Sequence, residues 1–419
     1  MITFAARPGR RLRVAAVTVM TVVALVACGG TGAGPPPAAA PDPGRLDALA
    51  ADALAVAQDR LAGAADRLDP EADGYPRSTG PDGRWETRDP DDWTSGFFAG
   101  TLWMLHEQTG DPAWRDRAQR WTVGIAGEAD RTDTHDLGFM IGDSFGHQLR
   151  LTGDPAAREV LLQASESLAT RFDPEVGALK SWDTAEFDED RRGTWQFPVI
   201  IDNMMNLEML YLAAREPGGD PRWAEIATEH AVTSSQHHLR PDGSTAHVAL
   251  FDPESGEFLR QETWQGLAPE STWSRGQAWA VHGFTDAHRE SGRPELLAAA
   301  QRAADWYVAA LPEDHVPYWD FDAPDVPDAE RDSSAAAIAA SGLYELARLT
   351  GGERGATYRA AADATLATLA QSYLADAAGS DALLAHGVGF LPEGSEVDVG
   401  LVYGDHYFVE ALTRSGQLG

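Results

Sequence analysis

Five times the chain repeats one short punctuation. Gly110-Asp111-Pro112, Gly153-Asp154-Pro155, Gly219-Asp220-Pro221 and Gly292-Arg293-Pro294 each follow an apolar-periodic segment and precede another, and Gly351-Gly352-Glu353 stands in the equivalent place once more. Glycine accepts the left-handed conformation that ends a helix. Aspartate caps the helix that follows, and proline suits its first position because the missing N–H has no intrahelical partner there. The flanking periodicity agrees. Leu161, Ala164, Leu168 and Phe172 follow one mark, and Leu297, Ala300, Ala303, Ala304 and Val308 follow another. Ala335 to Ala347 reads as a further helix, rich in the small residues that close helix contacts require. Strand-like alternation is scarce, with one candidate near Ser244 to Leu250 before a turn at Asp252-Pro253-Glu254-Ser255-Gly256. The chain therefore reads as all-α, built from helical hairpins repeating at roughly 45–75 residues, in a solenoid or a closed ring.

The ends carry a different signal. Arg7, Arg10, Arg11 and Arg13 precede an apolar run, Val14 to Val26, that is short for a membrane span. Leu25-Val26-Ala27-Cys28 then places a small residue before the only cysteine, so no intrachain disulfide can form. This resembles the lipobox of bacterial lipoproteins, which implies a signal peptide over 1–27 and lipid attachment at Cys28. Residues 28–44 are dominated by Gly, Pro and Ala and read as a spacer. The expected catalytic domain is 45–419, exported and tied to a membrane only through that anchor.

The formal charge is −32, and Lys180 is the sole lysine. Such a chain offers no basic stripe for nucleic acid and repels anions at long range, so an acidic ligand requires cations placed locally. Four segments are too aromatic, polar and glycine-rich for ordinary helix surface: Asp92 to Gly100, His135 to Phe139, Ile200 to Leu207, and Thr263 to Gly266 continuing through Ser271 to Trp279. In this order, ending with Tyr403-Gly404-Asp405-His406-Tyr407-Phe408, they resemble the unsaturated glucuronyl hydrolases, which act on the products of polysaccharide lyases.

That resemblance implies a single-domain, six-hairpin α/α barrel needing no cofactor, with an acidic unsaturated oligosaccharide as substrate. It implies Asp202 as general acid and base, with Asp136 assisting. It also implies His247, Gln265 and Arg275 in the sugar subsite and Trp93, Trp273 and Trp279 as aromatic walls. The residue chemistry is compatible. One carboxyl group that donates a proton and then activates water suffices for a vinyl ether, and burial among Ile200, Ile201 and Met204 would keep it protonated near neutrality. Arg275 has the geometry for a carboxylate, although pairing with Glu270 competes. The adjacent His237 and His238 point apart on a helix and make no metal site. Asp143-Ser144 and Asp332-Ser333-Ser334 lack a base partner for nucleophilic serine. A rhamnogalacturonyl hydrolase, a non-catalytic glycan-binding lipoprotein and a conventional inverting glycosidase on the same ring are the competing readings.

Overall fold

The computed structural model describes residues 43–183, 194–376 and 379–416. The expected signal segment, Cys28 and nearly all of the linker lie outside the described residues; the linker's last two residues, Pro43 and Gly44, already belong to the first helix.

Each punctuation mark is the tight link of a helical hairpin. Gly110 and Gly153 adopt φ of 66° and 67° at the ends of their helices. Asp111 and Asp154 then accept hydrogen bonds from the N–H groups of Ala113 and Ala156, with proline at the first turn. The hairpins sort into inner and outer members by burial. Helices α2 (Ser95–Thr109) and α3 (Pro112–Val123) form the first pair. A π-wound stretch, Gly138–Gly146, runs into α4 (His147–Thr152) and pairs with α5 (Pro155–Ala169). A 3₁₀ turn, Ile201–Asn206, runs into α6 (Leu207–Arg215), followed by α7 (Arg222–His237). Helices α8 (Ser274–Ser291) and α9 (Pro294–Ala310), then α10 (Ser333–Thr350) and α11 (Gly352–Thr368), complete five pairs. The sixth joins the two ends of the domain: α12 (Val402–Arg414) inside and α1 (Pro43–Arg67) outside.

Inner members are apolar or small all round, and outer members on one face only. Helix α8 is buried continuously from Ser274 to Ala287, whereas α9 buries Leu296, Ala299, Ala300, Ala303, Ala304 and Tyr307 at helical spacing. Each inner segment touches the next, and α12 returns to α2, which closes the ring. Small residues permit the approach: a Cβ at Gly342 of α10 would lie 2.8 Å from the His282 Cα of α8. Phe172, expected on the face of α5, instead begins a two-residue strand beyond the helix end.

The structure also contains more strand than the sequence suggests. Strands β1 (Tyr75–Thr79) and β2 (Trp85–Arg88) pair, as do β3 (Phe172–Asp173) and β4 (Ala178–Leu179). Strands β5 (Phe197–Ile200), β6 (Val248–Phe251) and β7 (Phe258–Glu262) make an antiparallel sheet, and β8 (Gly387–Phe390) pairs with β9 (Ser395–Val399). None exceeds five residues, too short for period-two alternation to register. The anticipated strand is β6, and its turn closes with Asp252 accepting from the N–H groups of Glu254 and Ser255.

Candidate active site

The inner segments all begin at the same end of the ring. Trp93 stands two residues before α2, Asp136 two before the π-wound stretch, and Asp202 in the first turn of the 3₁₀ segment. Arg275 and Tyr403 are the second residues of α8 and α12, and Asp332 caps α10. Five of these N-terminal ends line one cleft, and Asp332 reaches it through Arg275; the partial positive charges of the ends favour anions there. The cleft encloses about 270 Å³. Trp93, Phe139 and Tyr403 form one aromatic group, with Trp93 and Tyr403 centroids 5.1 Å apart. Trp182, Trp264 and Phe390 form another.

Strand register brings the chemistry together. Ile200 lies opposite Val248, and the Ile201 N–H extends the ladder by donating to the His247 carbonyl at 3.0 Å. Asp202 therefore lands beside His247, with Oδ2 3.9 Å from Nε2. His247 Nδ1 accepts from the backbone N–H groups of Trp264 and Gln265 at 3.1 and 3.2 Å. With Nδ1 an acceptor, the hydrogen-bond network assigns the ring proton to Nε2, facing Asp202. Burial keeps this imidazole neutral, holding its pKa well below the usual value.

Asp202 Oδ2 is buried with no hydrogen-bond partner among the described residues. Burial pushes its pKa up to about 7; Arg275 pulls it down and Asp136 pushes it further up. Asp136 is held by the Thr134 hydroxyl at 3.0 Å, and its Oδ1 lies 3.2 Å from His135 Nε2. His135 Nδ1 donates to the Ser181 carbonyl at 2.8 Å.

Arg275 is fully buried, and three of its five N–H donors are committed to protein. Nη1 reaches Asp332 Oδ2 at 3.0 Å and the Val388 carbonyl, and Nη2 reaches the Gly389 carbonyl at 2.6 Å. Its carboxylate partner is thus Asp332, not the nearby Glu270. The guanidinium stacks 4.5 Å from the Trp273 ring and borders the cleft as a fixed charge that anchors β8.

Of the residues singled out in the sequence, Trp93, Asp136, Asp202, Gln265 and Arg275 line the cleft. His247 lies directly behind Asp202, and Trp273 lies beneath His247 with ring centroids 4.6 Å apart. Trp279 is not on the wall; it is buried between Phe139 and Tyr407, because it lies one turn deeper along α8 than Arg275. The sequence did not nominate Arg77, Trp182, Phe390 or Glu396. Arg77 on β1 grips Glu396 on β9 at 2.5 Å and Asp92 at 2.6 Å, which sets a salt-bridged rim on the cleft. Trp264, Phe139, His135 and Tyr403 fell inside quoted segments without an assigned role. Among the other histidines, His237 stacks on Phe258 and His238 Nε2 contacts the Val199 carbonyl.

A helical ring with two carboxylates and aromatic walls at its mouth defines a carbohydrate-active α/α-barrel hydrolase. The chain matches Glycosyl Hydrolase Family 88 over residues 64–379 and belongs to that family. It is 43% identical over 332 residues to an unsaturated glucuronyl hydrolase of Formosa agariphila, covering 78% of this chain and 80% of the relative. A crystal structure of an unsaturated glucuronyl hydrolase specific for heparin superposes with a TM-score of 0.82 at 39% identity, over 90% of this chain and 98% of that one. A second, from Streptococcus agalactiae, was solved as a mutant in complex with dGlcA-GalNAc6S; it gives a TM-score of 0.73 at 27% identity, over 90% and 96% of the two chains.

Proposed function

We propose that the protein hydrates the C4=C5 vinyl ether of a terminal unsaturated uronic acid in lyase-generated oligosaccharides, with Asp202 as the acid and base. The observation that carries this is Asp202 itself. It is a carboxyl group held near half-protonation at neutral pH, beside a neutral histidine and a second carboxylate, at the bottom of an aromatic cleft. Asp202 gives its proton to C4, and oxocarbenium character develops at C5 beside the ring oxygen. Water then adds to C5 and returns a proton to Asp202. The resulting hemiketal opens to the keto acid and frees the partner sugar. One carboxyl serves both steps, and no covalent intermediate is needed. His247 Nε2–H faces the carboxylate that forms after proton donation, and Arg275 with the helical N-termini lining the cleft offsets the charge of an acidic sugar. The named relatives support the glucuronyl branch over pectin-derived substrates.

The test follows the ultraviolet absorbance of an unsaturated uronyl disaccharide. Wild-type protein is expected to bleach it, and Asp202→Asn to slow bleaching by at least about a thousandfold, near the upper range for general acid–base catalysis. Near-wild-type rates from the variant would overturn the assignment. Export as a lipoprotein is the accompanying proposal, supported by the Cys28 context. Labelled fatty acid should enter the wild-type chain but not Cys28→Ala, and equal labelling would count against it.

A further inference from the structure

Two backbone segments carry the carboxylates, and one side chain ties them. Asn206 is fully buried at the end of the 3₁₀ turn that carries Asp202, four residues downstream. Its Oδ1 accepts the Phe139 N–H at 2.9 Å, three residues downstream of Asp136. The two backbones meet at Gly138, where a Cβ would lie 2.8 Å from the Asn206 Cβ and collide with its backbone. On the far side, Ser181 makes a second tie. Its carbonyl receives His135 Nδ1–H at 2.8 Å, and its hydroxyl oxygen accepts the Ile200 N–H at 2.9 Å. Neither Asn206 nor Gly138 lines the cleft.

We propose that Asn206, clasped against Gly138 and Phe139, is a positioning residue that sets the approach of Asp136 to Asp202. The inference rests on Asp202 being the acid. Asp202 is faced by Asp136 and His135 from the lead-in to the π-wound stretch, by His247 from the lead-in to β6 and by Arg275 from α8. Loosening the clasp lets Asp136 withdraw and water enter. Both changes lower the affinity of Asp202 for its proton, since proximity of a like charge and dryness are what raise it. The alkaline limb of kcat, where Asp202 loses that proton, then moves to lower pH.

Asn206→Ala and Gly138→Ala disturb the clasp from opposite sides, so one remains informative if the other does not fold. In folded protein, checked by circular dichroism, kcat should fall by roughly a hundredfold, the effect of an ångström of misplacement. The alkaline limb should move down by roughly one pH unit as the neighbouring charge recedes. A purely structural role would reduce activity in equal proportion at every pH, and that result in both variants overturns the inference. Asp202→Asn, run in parallel, separates the two claims. Turnover in that variant removes the acid assignment, whereas an inactive Asp202→Asn with unmoved limbs in the clasp variants removes only the clasp.

Discussion

At the mouth of the ring, Asp202 Oδ2, His247 Nε2 and Tyr403 Oη are buried without hydrogen-bond partners among the described residues. Farther along the same inner segments, another set of ionisable groups, buried at His282 and Asp286 and reaching solvent at Glu208, is paired within itself. His282 on α8 bridges Asp286 at 2.8 Å and Glu410 of α12 at 3.0 Å. Arg289 joins Asp286 to Glu208, and Arg414 and the Ser341 hydroxyl complete the shell of Glu410. The same helices therefore carry unpartnered polar atoms at the mouth and a set of oppositely charged groups paired with one another deeper in. Unmet polar groups cost stability wherever they are buried. Of the three at the mouth, Asp202 and Tyr403 line the cleft, where a ligand can reach them.

Asp405 sharpens the contrast, because burial also pushes its pKa up to about 7, as at Asp202. Its two oxygens accept the Leu383 and Leu384 N–H groups at 2.8 and 2.9 Å, tying the segment before β8 to α12. A raised pKa is thus shared by a structural aspartate and by the aspartate proposed as the acid. What separates them is whether both oxygens are already spoken for.

The largest effect that tests this contrast belongs to Asp202→Asn. A carboxyl with pKa near 7 in the fold and near 3.9 unfolded weakens the folded state progressively as pH rises between those values. The inactive variant should therefore melt higher than wild type at pH 8 and equally at pH 3; a lower Tm at pH 8 would break the comparison. Next comes Glu410→Gln, which unbalances a buried charge set and should cost about 3–5 kcal/mol in denaturant melts, while the pH limbs of kcat stay in place. His282 has its pKa raised to about 9; burial opposes this, but Asp286 and Glu410 outweigh it. Its contribution is complete below about pH 6.5 and is lost as pH rises through about 9, so Glu410→Gln should flatten the stability profile across that window. The smallest effect is expected from Asp405→Asn, where one backbone N–H loses its acceptor. A loss of about 1–3 kcal/mol in stability with unchanged kcat is expected, and a large fall in kcat would move Asp405 into the reactive set.

The hairpins were legible because their signals are local: a glycine opens each of the five marked links, a proline follows in four, and an aspartate cap completes two. The cleft was legible in part for the same reason. Asp136, Asp202 and Arg275 sit in compact segments whose composition departs from helix surface. Arg77 and Glu396 were not, since they lie 319 residues apart and meet only through two short hairpins without periodicity. His282 and Glu410 are likewise separated by 128 residues. Trp279 shows the limit in the opposite direction. It sits in a segment rich in site residues, yet it lies one helical turn, about 6 Å, farther along α8 than Arg275 and so below the cleft, packed on Phe139 and Tyr407. The expectation that arginine would supply the local cation also needed the fold, because Arg275 is shared with Asp332 and with the carbonyls of β8.

The closing hairpin has a consequence for how the chain is made. Helix α1 is synthesised first, but its partners α11 and α12 arrive last. Arg60 waits for the carbonyls of Ala375 and Ala382, and Arg67 for Asp381, more than 300 residues on. Until α12 emerges, the apolar flanks of α1, α2 and α10 have no cover, and such exposed surface is what chaperones hold and proteases cut. A polypeptide stopped a few dozen residues short of its end would lack Tyr403 and the closing wall, leaving an open arc with the Trp93 ring facing water. Truncations that remove α12 should consequently be as damaging as early ones, because the ring closes only once α12 packs against α2 and α10.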